Sequence, residues 1–273
     1  MACPGPHWRT SRLGYPGRAD AVSHELSREE AAAWLRSWDL QQEIFMPDRQ
    51  DRIRFLVDLI VPADPAEGLR VLDLACGPGT LTARLLTARP DAAVVAVDLD
   101  PILLAIYRGV HPHVPVVEVD LRDAAWVAGV PGGGTPFDAV MTATALHWLP
   151  PQAVGRLYRD LAGIIRPGGV FVNADHVPLR RTPALAARSG TVAERERARL
   201  TGTRQDWSEW WEAVGTDPVL GPMVEERNRR FSNRGEEFSP VESWHFKALR
   251  DAGFSESAVV WRRGRDAIVA ATR

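Results

Sequence analysis

The chain has 273 residues, of which 45% are hydrophobic and 25% charged, a balance that belongs to one folded domain with additions and excludes a chain disordered throughout. The 33 Lys and Arg against 35 Asp and Glu leave a formal charge of -2, so no broad field of one sign can draw in a nucleic acid or an anionic membrane; either would need a local patch. Cys3 and Cys76 are too few for a disulfide scaffold or a cysteine-based metal site, and no apolar run suits a signal peptide or a membrane helix, so a reduced, cytoplasmic setting is expected.

Residues 1–27 are rich in Pro, Gly, Arg and Ser without periodicity and read as a flexible arm. Ser27 followed by Glu29 and Glu30 resembles a helix start, and Ala31, Trp34, Leu35 and Trp38 then fall on one helical face. Pro47 interrupts. A second helix carries Ile53, Leu56, Val57 and Ile60 on one face and ends at Pro62 and Pro65. Residues 28–62 are therefore a pair of helices ahead of the main domain.

From Leu69 to Val177 short apolar runs alternate with amphipathic stretches: RVLDLA, AVVAVDL, VPVVEVDL, FDAVMTATAL and GVFVNADHV. None shows the polar alternation of a half-exposed strand, which points to a parallel sheet of βαβ units buried on both faces. Residues 179–240, rich in Arg and Glu, read as a mostly helical insertion in which Glu194–Arg199 is a solvated face. A helix is expected over 241–252, stopped by Gly253, and residues 254–273 read as an antiparallel hairpin around a Gly-containing turn. The core is thus expected over 69–178 and 241–273.

The strongest local signal is Val71-Leu72-Asp73-Leu74-Ala75-Cys76-Gly77-Pro78-Gly79-Thr80, a strand running through a glycine turn into a helix. Such glycines let backbone approach a ligand closely and leave helix amides pointing at it. Nineteen residues after Gly79, Asp98 ends the second strand, where a carboxylate can accept hydrogen bonds from ribose hydroxyls. Asp73 sits in the strand just before the turn. Its carboxylate would repel a pyrophosphate and suits a cationic amine, which disfavours a nicotinamide-type dinucleotide.

This segment resembles motif I of class I S-adenosylmethionine-dependent methyltransferases. Ala75 replaces the motif's first glycine, which costs little if the backbone there keeps a negative φ. The resemblance extends through Asp98 with Leu99, Asp120-Leu121, Phe137–Val140 and Arg166–Gly169, and the LHWL segment and N-terminal helices are similar to the trans-aconitate methyltransferase branch of small-molecule enzymes. It implies a Rossmann-like, seven-stranded, mostly parallel sheet closed by a C-terminal antiparallel hairpin, and S-adenosylmethionine as cofactor. It further implies that Asp73, Ala75, Cys76, Gly77, Gly79, Asp98, Leu99, Asp120, Leu121, Thr142, Ala143 and His147 bind the cofactor, with Asp98 at the ribose, Asp120 and Leu121 at the adenine, and the stretch that holds Ala143 and His147 at the methionine part.

The implied activity is in-line methyl transfer to an O-, N- or C-centre of a small molecule, in metabolite or natural-product tailoring. The alternative is a protein that binds S-adenosylmethionine for non-methylating catalysis or a regulatory or interaction role. His147 is a candidate general base, or else a helix cap. Asp175 and His176 leave the fifth strand at the same edge as candidate catalytic groups; as sequence neighbours they point to opposite faces, which argues against their pairing with each other. Arg180, Arg181 and Arg204 border the insertion as candidate clamps for an acid, or as plain surface. His111 and His113 lack the spacing of a metal site, and no metal is expected. Nucleic-acid methylation is disfavoured too, since Leu149-Pro150-Pro151 only superficially resembles a flipped-base segment.

Tryptophan is over-represented, with ten Trp against eight Phe and three Tyr. Trp38, Trp148, Trp207 and Trp211 fall in segments expected to border the acceptor. They either pack the helices onto the sheet or wall an aromatic pocket.

Overall fold

The computed structural model describes residues 25–46, 48–62, 64, 68–132, 134–179, 182–200, 205–232 and 235–273. Arg180, Arg181 and Arg204, and all of the expected arm before residue 25, lie outside the described residues.

Ser27 opens α1 (Arg28–Phe45): its hydroxyl accepts from the Glu30 amide at 3.3 Å while the Glu30 carboxylate accepts from the Ser27 amide at 2.8 Å. This reciprocal cap satisfies two donors that a helix start leaves open. Helix α2 (Arg49–Ile60) buries Ile53, Leu56, Val57 and Ile60, and the same stripe begins with the buried Arg49 and Arg52. Next come β1 (Arg70–Leu74), α3 (Thr80–Ala88), β2 (Ala93–Asp98), α4 (Pro101–Val110), β3 (Val116–Glu118), β4 (Phe137–Ala143), α5 (Pro151–Ile164) and β5 (Ile165–His176). Helices α6 (Pro183–Leu200), α7 (Trp207–Thr216) and α8 (Val224–Phe231) fill the expected insertion. The chain then closes with α9 (Glu242–Ala252), β6 (Glu256–Arg263) and β7 (Asp266–Thr272).

The seven strands form one sheet in the order β3-β2-β1-β4-β5-β7-β6. The first five run parallel, and β7 is antiparallel to both β5 and β6. The order reverses between β1 and β4, the switch point at whose carboxyl edge open α/β sheets bind ligands. Two runs are shorter than the sequence suggests. The third pairs only over Val116–Glu118 at the sheet edge, and the fourth stops at Ala143 because Thr144 turns to a φ of 52°.

Alternation along the strands divides the core between the two faces. Leu72, Leu74, Val140 and Phe171 pack with Leu157 and Leu249 of α5 and α9; Val71, Met141 and Val172 pack with Leu56 and Leu85 of α2 and α3. A third cluster joins α1, α4 and α7 through Ala31, Leu35, Ile102, Ile106, Trp210 and Val214, and it includes Leu26, which is thus packed rather than part of an arm. Here α1 and α4 approach closely: a Cβ on Gly109 would stand 2.5 Å from the Ala31 Cβ. Among the described residues no helix is long and apolar enough to cross a membrane.

The same alternation corrects one expectation. Asp73 does not face a ligand amine. It points to the α3 face and is fully buried, its Oδ2 accepting from the Thr82 amide at 3.2 Å and the Thr82 hydroxyl at 2.6 Å, with Oδ1 unpartnered. Burial raises its pKa to about 7 against the opposing Thr82 bonds, and the charge of Asp98 adds to the rise.

A carboxyl whose pKa is raised on folding contributes stability that is full below its unfolded pKa of 3.8 and lost as pH climbs to about 7. Asp73→Asn removes that loss. Thermal denaturation should show the variant gaining on the wild type by several degrees between about pH 4 and pH 8. A difference that stays flat across that range contradicts the assignment.

Candidate active site

The turn after β1 is held against β2 by two backbone amides: Cys76 donates to the Val97 carbonyl at 3.0 Å and Gly77 to the Asp98 carboxylate at 2.8 Å. Meeting both bends Ala75 to a φ of 54° and Gly77 to 55°. Ala75 therefore departs from the negative φ expected of it, and a left-handed alanine costs about 1–2 kcal/mol. At Gly77 a Cβ would meet only Leu103 Cδ1 at 3.9 Å, which leaves the space before this backbone open. Gly79, at a φ of 100°, lies behind the wall instead: a Cβ there would run into the His111 ring, whose Nε2 is 3.1 Å from the Gly79 carbonyl.

In front of this turn a cavity of about 530 Å³ opens along the carboxyl edge of the sheet. Its first half lies over β1, β2 and β3, bordered by Ala75, Cys76, Gly77, Leu99 and Leu121. Asp98 reaches it too. Its carboxylate accepts from the amides of Gly77, Leu99 and Asp100 at 2.7–2.8 Å. Burial is the largest influence and lifts its pKa to about 6; the amide bonds oppose the rise and the charge of Asp100 assists it. Asp120 is gripped by Arg122 at 2.7–3.0 Å, which outweighs the effect of burial and holds its pKa below the ordinary value. Cys76 is a buried free thiol whose pKa burial pushes up.

The second half lies over β4 and β5. Ala143, His147 and His176 border it, whereas Thr142, fully buried one residue short of the strand end, does not. His147 does not cap α5. Its Nδ1 meets Asp175 Oδ1 at 2.7 Å, and its backbone amide donates to Asp175 Oδ2 at 3.2 Å. Asp175 lies behind the wall. Burial works to raise its pKa, but the bond to His147, the charges of both histidines and the His176 amide hold it below the usual carboxylate range. His176 turns away from Asp175 and meets Asp266 Oδ1 at 2.7 Å, so each histidine has its own carboxylate, the rings 5.3 Å apart.

The helices roof both halves. All four expected tryptophans border the cavity. Trp148 and Trp207 are 41% and 38% exposed, too open to be core packing, while Trp210 is buried and donates to Ser37 at 3.0 Å. Arg227 stacks over Trp211 at 3.7 Å and reaches Asp100 at 2.6 Å, tying α7 and α8 to the N-terminus of α4. Helix α6 has no buried residue, as expected of the charged run, though Arg197 joins the roof.

The sequence reading missed Asp39, Arg49, Arg52 and Asp266. Arg49 donates to Asp39 at 2.8 Å and to Thr80 at 3.2 Å. Arg52 is 2% exposed and borders the cavity, donating to Met46 Sδ and standing 3.9 Å from Asp266, while its Nε and Nη1 find no acceptor. Burial lowers its pKa against the pull of Asp266 and Asp175. Unpaired buried donors cost about 1–3 kcal/mol each. The available signal was two arginines on the apolar stripe of α2.

Residues 71–169 match the model of a methyltransferase domain family. A trans-aconitate 2-methyltransferase of Azoarcus sp. (strain BH72) is 34% identical over 178 residues, 62% of each chain. Another, from Methylobacterium nodulans, is 31% identical over 194 residues, 66% of this chain and 69% of the relative. The chain spans about half to two thirds of the length of the curated relatives it matches. An O-methyltransferase family protein from Burkholderia thailandensis shares the fold, with a TM-score of 0.53 at 22% identity over 90% of this chain and 63% of that one. Together with the strand order and the turn before Asp98, these likenesses identify the chain as a member of the class I S-adenosylmethionine-dependent methyltransferases.

Proposed function

We propose that this protein transfers a methyl group from S-adenosylmethionine to a small-molecule acceptor. One observation carries the reading: a single cavity joins the Gly77 turn and the Asp98 carboxylate to a His147 ring fixed by Asp175 at 2.7 Å. The residues of the first half fit a nucleoside. Open space before Gly77 admits close approach, Asp98 presents acceptor oxygens for ribose hydroxyls, and Leu99, Asp120 and Leu121 supply an apolar and acidic border for a base. When bound, S-adenosylmethionine would supply an electrophilic methyl group on its sulfonium.

The residues of the second half would position the acceptor and exclude water. In this reading α1, α2 and residues 179–240 form a cap, and Trp38, Trp148, Trp207 and Trp211 give the acceptor apolar walls. With Nδ1 held by Asp175, Nε2 of His147 is the nitrogen available to take a proton from an alcohol, amine or carbon acid; a carboxylate acceptor needs no such help. His176, held by Asp266, orients the acceptor. Trans-aconitate, named for the relatives, belongs among the first acceptors to assay, and the reaction is assigned to the cytoplasm.

Formation of S-adenosylhomocysteine with candidate acceptors tests the activity. His147→Ala should lower kcat at least ~100-fold for acceptors that must lose a proton, with cofactor affinity unchanged. Unchanged turnover would remove His147 from the chemistry.

The role of Asp98 has its own pH signature. Asp98→Ala should abolish cofactor binding, and in the wild type affinity for S-adenosylhomocysteine should fall as pH drops through about 6, where the carboxylate takes up a proton. Calorimetric titration across that range checks this. Binding by Asp98→Ala at wild-type strength would contradict it.

A further inference from the structure

We propose that the acceptor is an aromatic ring carrying two protic groups on neighbouring carbons, one held by His147 and the other by His176. The inference rests on the reading of the second half of the cavity as the acceptor site and names what that half would take.

The two histidines are presented in the same way. His147 is engaged at Nδ1 by Asp175 and His176 at Nδ1 by Asp266, each at 2.7 Å. Both rings border the cavity and neither carboxylate does. The two nitrogens of an imidazole point away from each other across the ring, so a ring fastened from behind at Nδ1 turns Nε2 to the front. In the neutral ring Nδ1–H donates to the carboxylate and Nε2 is left as an acceptor. A single protic group needs one such acceptor, and this site has two.

Their spacing limits what meets both. The ring centroids are 5.3 Å apart and the planes are tilted by 39°. Hydrogen bonds of about 2.8–3.0 Å from the two Nε2 atoms reach atoms only a few bonds apart, which describes adjacent substituents and not the two ends of a long molecule. Trp148 argues for a flat ring. It lies 4.8 Å from His147 with the planes at 47°, borders the cavity and is 41% exposed. An aromatic acceptor laid on that indole covers apolar surface, and its substituents fall at the neighbouring imidazole. A metal ion is the other occupant that carboxylate-backed imidazoles hold, but among the described residues no group of three His, Cys, Asp or Glu side chains is placed to hold one.

Transfer to the group on His147 balances with these residues. The acceptor oxygen bonds to the methyl carbon as the carbon–sulfur bond breaks, the bonding pair stays on sulfur in S-adenosylhomocysteine, and the hydroxyl proton goes to Nε2. The group on His176 keeps its proton. The product has then lost one of its two holds, which favours its release.

Calorimetric titration of wild type, His176→Phe and His176→Gln, under nitrogen with EDTA, reads the proposal without turnover. The probes are catechol, phenol, 2-methoxyphenol and, as a pair without an aromatic ring, cis-1,2-cyclohexanediol, each with and without S-adenosylhomocysteine. The wild type should bind catechol about tenfold or more tighter than the other three. His176→Phe should bind catechol no better than phenol, while His176→Gln, whose amide reaches the place of Nε2, should keep part of the preference. Both should bind S-adenosylhomocysteine within about twofold of the wild type. A merely structural His176 would instead lower the melting temperature and weaken catechol and phenol alike. Equal binding of catechol and phenol by the wild type, a preference that persists in His176→Phe, or cyclohexanediol binding as tightly as catechol overturns the proposal. So does a preference that appears only when EDTA is replaced by zinc, which would give the histidines to a metal ion. If His176→Phe does not fold, loss of the preference in wild type or its full retention in His176→Gln still overturns it. Failure of S-adenosylhomocysteine to bind the wild type would contradict the proposed function, while the catechol–phenol comparison without it still decides the acceptor.

Discussion

The carboxylate of Asp98 accepts backbone amides from both turns that shape the first half of the cavity: Gly77 after β1, and Leu99 and Asp100 after β2, all within 2.8 Å. Those bonds bring the two turns together and oblige Ala75 to take a left-handed backbone. They also place Asp100, whose own carboxylate caps α4 and is reached by Arg227 at 2.6 Å. Arg227 in turn lies over Trp211, and Arg230 of the same helix donates to the Leu99 carbonyl, so the roof is fastened to the floor at the turn after β2.

The strand order divides the labour. Sheet positions on the β3-β2-β1 side carry carboxylates and small backbone turns, suited to a ribose and a base. The β4-β5-β7 side carries two histidines, each with a buried or half-buried aspartate, and Arg52 of α2 stands 3.9 Å from the second of these, Asp266. The antiparallel β7 matters for this. It brings Asp266 back beside His176 at the same edge, a juxtaposition that an all-parallel sheet with a longer crossover would not supply.

Local signals were the readable part. The reciprocal cap at Ser27, the apolar stripe of α2, the glycine turn and the acid ending β2 each depend on residues within a few positions of one another, and each is where the sequence places it. The pairs that define the second half were not readable. His147 and Asp175 are 28 residues apart, His176 and Asp266 are 90 apart, and only the strand register joins them. Ala75 was misread for the opposite reason: its φ is set by bonds to β2 rather than by its own preference. Asp73 was misread because its charge was weighed without the strand alternation, which puts it on the α3 face. Trp210 lies in the core and Trp148 and Trp207 stand open on the cavity, while Trp38 and Trp211 do both, packing against Trp210 and bordering the cavity.

The central claim is that one half of this cavity is a nucleoside site built on Asp98 and the other an acceptor site built on His147. A crystal structure with S-adenosylhomocysteine tests it most directly. The account predicts the ribose hydroxyls on the Asp98 carboxylate and the sulfur turned toward the His147 half. A nucleoside bound away from Asp98, or one that fills the His147–His176 half, would contradict it.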